Sequence, residues 1–151
     1  MKLTAKTSYG IRALIDLAVV YPQKRPVSIK AVSIEEGISR IYLEQIFNRL
    51  KNKGIVRSVR GPMGGYMLAR PPKDITVYDA MIALEGGVSS VGCRYGRARG
   101  SKCEQACRCA SKEVWDEVTK QIQITLERYS LDYLAKRALE KDPGKLAGGK
   151  R

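Results

Sequence analysis

Apolar and polar positions in the first part of the chain recur with the three- and four-residue spacing of amphipathic helices. A first helix is predicted after a capping residue, Thr7 or Ser8. It is expected to end at Tyr21-Pro22, because proline disfavours a helical residue before it. Its apolar positions are Ile11, Leu14, Ile15, Ala18 and Val19.

Two shorter helices follow, separated by a glycine. Ser28 is a suitable cap for a helix that runs to about Glu36, and Gly37 marks a tight turn after it. Ser39 then caps a third helix, whose apolar stripe consists of Leu43, Ile46, Phe47 and Leu50. Helix, glycine-containing turn and helix form the helix-turn-helix pattern.

A hairpin is predicted directly after the third helix. Residues 55–59 and 66–69 are rich in strand-forming residues, and the turn between them, residues 60–65, holds three glycines and a proline. The predicted fold class is therefore mainly α with a small β-hairpin. Residues 1–75 are expected to form a winged helix-turn-helix domain.

Residues 76–110 are predicted to form a connecting helix followed by a cysteine-rich loop. Thr76 and Asp79 have the spacing of a capping box, and Gly86-Gly87 ends the helix that they begin. No hydrophobic periodicity extends beyond residue 88 until about residue 110. All four cysteines of the chain fall in that stretch: Cys93, Cys103, Cys107 and Cys109.

A long C-terminal helix is predicted over residues 111–138. Its apolar face consists of Val114, Trp115, Val118, Ile122, Leu126 and Tyr129, extended by Leu131, Tyr133 and Leu134. A helix of this length on a small domain needs a packing partner, and a second copy of the chain provides one as a twofold dimer. The glycine- and lysine-containing tail, residues 139–151, is expected to be disordered.

The charge balance points to a polyanionic partner. The 151 residues include 28 Lys and Arg against 15 Asp and Glu, a net charge of +13. Residues 1–80 alone hold fourteen Lys and Arg against six acidic residues. Combined with the helix-turn-helix pattern, this charge predicts binding to double-stranded DNA. For any one of these charged residues, the alternative to DNA binding is that it simply lies on a solvated surface.

The residue types exclude several other classes of protein. Histidine is absent, which removes Ser-His-Asp and Cys-His catalysis as well as histidine-bound zinc and haem. The sequence shows no paired carboxylates that would indicate an enzyme. It also shows no phosphate-binding loop, because Gly61, Gly64 and Gly65 are better explained by the wing turn. The sequence also lacks an apolar run long enough to span a membrane and has no signal peptide, so a cytoplasmic location is expected.

The third helix and the hairpin carry the candidate DNA-binding residues. In a helix-turn-helix protein the N-terminal part of the second helix of the motif faces base edges in the major groove. The residues expected there are Ser39, Arg40, Tyr42, Glu44 and Gln45. Arg57 and Arg60 lie on the predicted wing, where a basic side chain can reach phosphates or the minor groove.

The cysteine spacing, Cys93-x9-Cys103-x3-Cys107-x-Cys109, differs from zinc ribbons and from thioredoxin-like motifs. Several thiolates in one segment can hold an iron–sulfur cluster, and six Lys and Arg between residues 92 and 112, against Glu104 alone, would stabilise the anionic forms. Zinc in the same segment, a thiol–disulfide switch or four idle cysteines are the alternatives. Spacing does not decide between the cluster and the redox switch.

Several stretches resemble the IscR-type family of bacterial winged-helix regulators, over residue 1 to about residue 138. They are Met1-Lys2-Leu3-Thr4 with Tyr9, Gly37-Ile38-Ser39 with Tyr42-Leu43-Glu44-Gln45-Ile46-Phe47, and Val59-Arg60-Gly61-Pro62-Met63-Gly64-Gly65-Tyr66. The resemblance implies a homodimer that binds a palindromic operator and carries an iron–sulfur cluster. Glu44 and Arg60 match positions that the family uses for DNA readout. By the same resemblance Gly64, in the matching wing, and Ile41, in place of a DNA-contacting serine, are expected to bind DNA.

The resemblance also implies three cluster ligands, Cys93, Cys103 and Cys109. A two-iron cluster is favoured, with a four-iron cluster as the alternative. Lys112 stands where the IscR pattern has a histidine ligand, so the fourth position is open to Cys107 or to a residue near the N-terminus of the partner subunit, where Ser8 occupies the matching position. A cluster-free family member, acting as a thiol switch or zinc-bound repressor, is the alternative function.

Overall fold

Six α-helices and one β-hairpin are formed by residues 4–86 and 110–145, the parts of the chain that this computed structural model describes. In chain order the elements are α1 (Ala5–Val20), α2 (Ile29–Glu36), α3 (Arg40–Asn52), β1 (Val56–Val59), β2 (Gly65–Leu68), α4 (Val77–Glu85), α5 (Ala110–Glu127) and α6 (Leu131–Lys141). Short 3₁₀ turns occur at Tyr21–Gln23 and Pro72–Asp74. The predicted class, mainly α with a small hairpin, is confirmed.

Helix α1 begins earlier than predicted. Its N-cap is Thr4, so the prediction that Thr7 or Ser8 caps the helix was wrong. Thr7 lies within the first turn and is buried, and its hydroxyl donates a hydrogen bond of 2.6 Å to Glu85 Oε1 at the end of α4. The Thr7 hydroxyl, predicted to cap α1, therefore bonds to Glu85, a residue far away in the sequence. The end of α1 at Val20, just before Tyr21-Pro22, is as predicted.

The caps of α2, α3 and α4 follow the sequence prediction. Ser28 and Ser39 each accept a hydrogen bond from a backbone N–H in the first turn of the following helix. Thr76 and Asp79 form the predicted capping box. Gly37 adopts a left-handed conformation at the end of α2 (φ 66°), so the chain turns sharply into α3. Ser28, Gly37 and Ser39 thus set the helix boundaries of the helix-turn-helix motif.

The core lies between α1, α3 and α4 and the base of the hairpin. All four residues of the predicted α3 stripe are fully buried in it. The other largest fully buried side chains are Leu14, Leu17, Val20, Val32, Val56, Ile75, Leu84 and Leu131. Because α3 is anchored along its whole apolar stripe, its opposite face is held rigidly outward.

The hairpin forms the wing, and its second strand also pairs with the segment before α2. Val56 pairs with Leu68 and Val59 with Gly65 in antiparallel register. Val27, just before α2, exchanges backbone hydrogen bonds of 2.9 Å and 2.8 Å with Tyr66. A Cβ on Gly65 would lie 2.2 Å from the Val27 carbonyl oxygen, so this close approach requires glycine.

The C-terminal part differs from the prediction of one helix over residues 111–138, which was wrong. Helix α5 ends at Glu127, and α6 begins at Leu131 with Ser130 as its N-cap. The connection pairs with the segment before α4. The Val77 N–H donates to the Tyr129 carbonyl at 2.9 Å, and the Leu131 N–H donates to the Ile75 carbonyl at 2.8 Å. Helix α6 therefore turns back and packs on α1, with Leu131 fully buried.

The prediction of a disordered tail over residues 139–151 was wrong for its first half. Helix α6 continues to Lys141, and the chain is ordered to Lys145. The Lys145 ammonium lies 3.0 Å from Asp16 Oδ1 and 2.6 Å from Glu36 Oε1, so buried carboxylates hold this part of the tail. Residues 146–151 lie outside the described residues. No helix within residues 4–86 and 110–145 is long and apolar enough to cross a membrane.

Candidate nucleic-acid interface

The exposed face of α3 lies directly opposite its buried stripe. At 100° per residue, Ile41, Gln45 and Asn48 fall near the middle of that face, spaced by four and three residues. All three are exposed, and Ile41 retains 73% of its accessible surface. Asn48 was not among the predicted DNA-binding residues, although the sequence shows both its spacing from Gln45 and its amide, which can pair with adenine.

The six residues predicted at the start of α3 divide into two groups. The exposed group is Arg40, Ile41, Glu44 and Gln45, whose side chains reach solvent. Ser39 is also exposed, but its hydroxyl accepts a hydrogen bond of 3.4 Å from the Tyr42 N–H as the helix cap. Tyr42 is half-buried, with its ring edge-on to Tyr9 at 6.0 Å between centroids. The structure thus places Tyr42 against α1, and the other exposed side chains stay predicted contacts to the major groove.

The wing presents both predicted arginines to solvent. Arg57 lies on β1 opposite Met67, and its guanidinium is 3.5 Å from the Met67 sulfur. Arg60 lies at the start of the turn and is exposed. A Cβ on Gly64 would lie 2.4 Å from the Val59 carbonyl oxygen, so Gly64 permits the tight turn that presents Arg60.

The wing and α3 share an aromatic contact at their base. The rings of Phe47 and Tyr66 stack with centroids 4.5 Å apart and an interplanar angle of 18°. Phe47 is fully buried and Tyr66 is half-buried. This stack fixes the angle between the helix that would enter the major groove and the wing that would lie beside it.

Helix α5 presents an apolar face that the other described residues, 4–86 and 128–145, leave accessible. None of the residues of α5 is buried, and Val114 and Val118 rank among the exposed large apolar side chains of the described residues. Val118, Ile122 and Leu126 lie four residues apart and line a groove of about 430 Å³ together with Glu117, Gln121 and Thr125. A helix with such a stripe needs an apolar partner.

A helix-turn-helix, a basic wing and a C-terminal helix with an open apolar face occur together in a known family of regulators. The profile of the Rrf2 family, described as iron-dependent transcriptional regulators, matches residues 3–137. The chain belongs to the Rrf2 family. This Rrf2 protein is accordingly a winged-helix, DNA-binding transcriptional regulator, and the family is one of non-enzymes.

Individual relatives support the same assignment. The Rrf2 protein is 38% identical over 136 residues to the HTH-type transcriptional regulator IscR of Vibrio atlanticus. The matched region covers 90% of this chain and 76% of that protein. Its fold matches the solved structure of T. potens IscR with a TM-score of 0.72 at 35% identity, over 94% of this chain and 91% of that one. The global cysteine regulator CymR of B. subtilis matches with a TM-score of 0.72 at 32% identity, over 91% and 98% of the two chains.

The predicted metal ligands of this Rrf2 regulator lie outside the described residues. Cys93, Cys103, Cys107 and Cys109 all fall in residues 87–109, between the end of α4 and the start of α5. The α4 side of that segment is anchored. Glu85 accepts hydrogen bonds from Thr4 and Thr7 and pairs with Lys6 at 3.2 Å. Within residues 4–86 and 110–145, no group of three metal-ligating side chains occurs.

A buried charge cluster in the Rrf2 regulator joins the tail to the helix-turn-helix. Asp16 on α1 is fully buried, and Glu36 at the end of α2 is nearly so. Burial, together with the charge of Glu36, raises the pKa of Asp16 to about 7. Burial alone would raise the pKa of Glu36 as well, but Lys145 and Arg12 outweigh it and lower that pKa. The Arg12 Nε lies 2.5 Å from Glu36 Oε2.

Proposed function

We propose that this Rrf2 regulator is a homodimer that binds a palindromic operator and whose affinity is modulated by an iron–sulfur cluster. The observation that carries the proposal is the position of all four cysteines in the one segment that joins the winged domain to α5. The family description as iron-dependent and the similarity to IscR proteins support it.

The donor set suits an iron–sulfur cluster. Cys93, Cys103 and Cys109 would be three of its ligands, and Cys107 is the candidate for the fourth, since histidine is absent. A cluster in such a site supplies a redox- and iron-sensitive group. We favour a two-iron cluster, with a four-iron cluster as the alternative. The cations among these cysteines would lower the cost of holding several thiolates together.

A second copy of the chain would cover the apolar face of α5. Val118, Ile122 and Leu126 form a stripe that a second α5 can pack against, and a symmetric contact of this kind gives a closed dimer. Two copies of α3 would then read two half-sites about 34 Å apart along the duplex. The palindromic operator follows from that symmetry.

The chain connectivity suggests how the two activities are coupled. Because Glu85 ties the end of α4 to α1, residues 87–109 run from a fixed point of the winged domain to the dimer helix. Drawing Cys93, Cys103 and Cys109 together would set the distance between α4 and α5, and with it the spacing of the two α3 helices. A coupling free energy of about 1–3 kcal/mol would be typical of such a device.

Anaerobic purification tests this proposal. We expect coloured protein that contains iron and acid-labile sulfide but no zinc, and an absorption spectrum that distinguishes a two-iron from a four-iron cluster. Cys93→Ser should remove the iron and change operator affinity. Cys107→Ser separates the two choices for the fourth ligand, because it lowers cluster content only if Cys107 is a ligand.

A cluster-free thiol switch or zinc-bound repressor is the second candidate. The similarity to CymR, a global cysteine regulator, and Lys112 in place of a histidine favour it. Protein that stays colourless after anaerobic reconstitution and binds DNA would support this candidate. Zinc in the metal analysis, or a change of affinity on thiol oxidation, would then separate its two forms.

A further inference from the structure

We propose that Ile41 contacts the 5-methyl group of a thymine in the major groove and thereby sets a base preference in each half-site. The inference rests on operator binding by α3. It assigns one base contact to one side chain, so it can fail while the function proposed above still holds.

The position of Ile41 carries the first part of the argument. It lies in the first turn of α3, where a recognition helix approaches base edges most closely. The buried stripe of α3 faces the opposite direction, so Ile41 projects from the middle of the outer face. At 73% exposure, it has no packing role among the described residues that would explain a β-branched apolar residue in a first helical turn.

The chemistry of the groove carries the second part. Base edges in the major groove present hydrogen-bond donors and acceptors, and the thymine methyl is the apolar group among them. Ile41 has no donor or acceptor on its side chain. Against a cytosine amino group or a guanine carbonyl, it would leave a desolvated polar atom without a partner, which weakens binding. Its neighbours Arg40, Glu44 and Gln45 are polar and exposed, so the apolar contact is local.

Ile34 provides a matched control within the same domain. It is also an exposed isoleucine, at 56%, but lies on α2, the helix of the motif that crosses the DNA backbone. Truncating either isoleucine to alanine removes similar surface from an exposed helix position. Neither substitution is expected to lower the midpoint of thermal unfolding, because alanine is the better helix former.

The test uses duplexes that the wild-type protein selects from a random library, and the protein is used in the form in which it is purified anaerobically. Each thymine of the selected half-site is replaced in turn by deoxyuridine, which removes only the methyl group, and affinity is measured by fluorescence anisotropy. We expect one thymine per half-site at which this change weakens wild-type binding about fourfold, the effect of burying one methyl group. Ile41→Ala should be insensitive to deoxyuridine at that position, and Ile34→Ala should remain as sensitive as wild type.

Two results would overturn the inference while leaving operator binding intact. One is wild-type affinity that no deoxyuridine replacement changes. The other is Ile41→Ala protein that keeps the wild-type sensitivity at the same thymine. If the library yields no enriched sequence at all, sequence-specific binding fails and the Ile41 contact fails with it.

Discussion

Phe47 on the recognition helix and Tyr66 on the wing stack face to face, with 4.5 Å between ring centroids. Tyr66 is also bonded through its backbone to Val27, which leads into α2. One residue therefore connects the wing to both helices of the helix-turn-helix. The orientation of the wing is therefore set by packing against the core. Substitutions at this contact should affect DNA binding even though the substituted residue does not itself contact DNA.

Replacing Tyr66 by leucine should loosen the wing. The aromatic contact contributes about 0.5–1.5 kcal/mol beyond the area it buries, so Tyr66→Leu should lower the free energy of unfolding by about 1 kcal/mol and weaken operator binding. Tyr66→Phe keeps the ring and should behave as wild type in both urea denaturation and anisotropy. If Tyr66→Phe were as impaired as Tyr66→Leu, the hydroxyl rather than the stack would hold the wing.

Arg60 on the wing should contribute directly to DNA binding. If it reads a base, Arg60→Ala should weaken binding to the selected operator by about 1–3 kcal/mol and relax the preference at one position. If it contacts a phosphate, binding should weaken on all sequences and the slope of log affinity against log salt should fall by about one. Lys136→Ala, at an exposed cation on α6, is the control. Unchanged affinity and slope for Arg60→Ala would exclude both roles.

Local signals predicted the winged domain well, because its helix ends depend on neighbouring residues. Ser28, Ser39 and the pair Thr76 and Asp79 each cap a helix within three residues of themselves. The spacing of Leu43, Ile46, Phe47 and Leu50 identified the buried side of α3. Asn48 could have been found by the same periodicity applied to the opposite face.

The features that were not predicted depend on contacts between distant parts of the chain. The break between α5 and α6 is fixed by backbone pairing of Tyr129 and Leu131 with Val77 and Ile75. The tail has the composition of a disordered segment, and its order comes from Lys145 meeting Asp16 and Glu36. No local pattern encodes such partners. Contacts by the cysteines lie outside the described residues, so Cys93, Cys103, Cys107 and Cys109 stay a prediction as ligands.

Gly10 on α1 lies directly against Leu84 on α4. A Cβ at this position would lie 2.3 Å from Cδ1 of Leu84, which is fully buried and has little room to move. Gly10→Ala should therefore lower the free energy of unfolding by about 1–3 kcal/mol, despite the better helix propensity of alanine. Leu84→Ala alone should cost about 2–5 kcal/mol. The double variant should be more stable than the sum of the two losses implies, because the new methyl enters the space that Leu84 leaves.

The buried carboxylate of Asp16 predicts a pH dependence of stability. The folded state holds its proton up to a pKa of about 7, whereas the ordinary value is 3.8. Between these values the folded state binds more protons than the unfolded state, so stability should fall as the pH rises from about 4 to about 7. The two charged groups that face Asp16, Glu36 and Lys145, change stability in other pH ranges. Glu36 has a lowered pKa and loses its contribution below its ordinary range, while Lys145 has a raised pKa and loses its contribution above its own.

Asp16→Asn measures this contribution. Denaturation with urea at pH 5, 6, 7 and 8 should give a falling free energy of unfolding for the wild type and a flatter profile for the variant. Arg12, 2.5 Å from Glu36, is present in both proteins and does not change the comparison. Equal slopes for the two proteins would show that the proton on Asp16 does not set the pH dependence.

Lys145 should stabilise the helix-turn-helix from the far end of the chain. Its ammonium is the cation shared by Asp16 and Glu36, and its side chain is only 17% exposed. Removing one partner of a buried ion pair leaves uncompensated charge, so Lys145→Met should lower the free energy of unfolding by about 1–3 kcal/mol at pH 8. Because Asp16 is protonated at lower pH, the loss should shrink toward pH 5, and combining Lys145→Met with Asp16→Asn should recover part of it.

Lys141→Met, at an exposed lysine that ends α6, should change little at either pH. Equal effects of the two lysine variants would mean that the tail contact contributes no stability of its own.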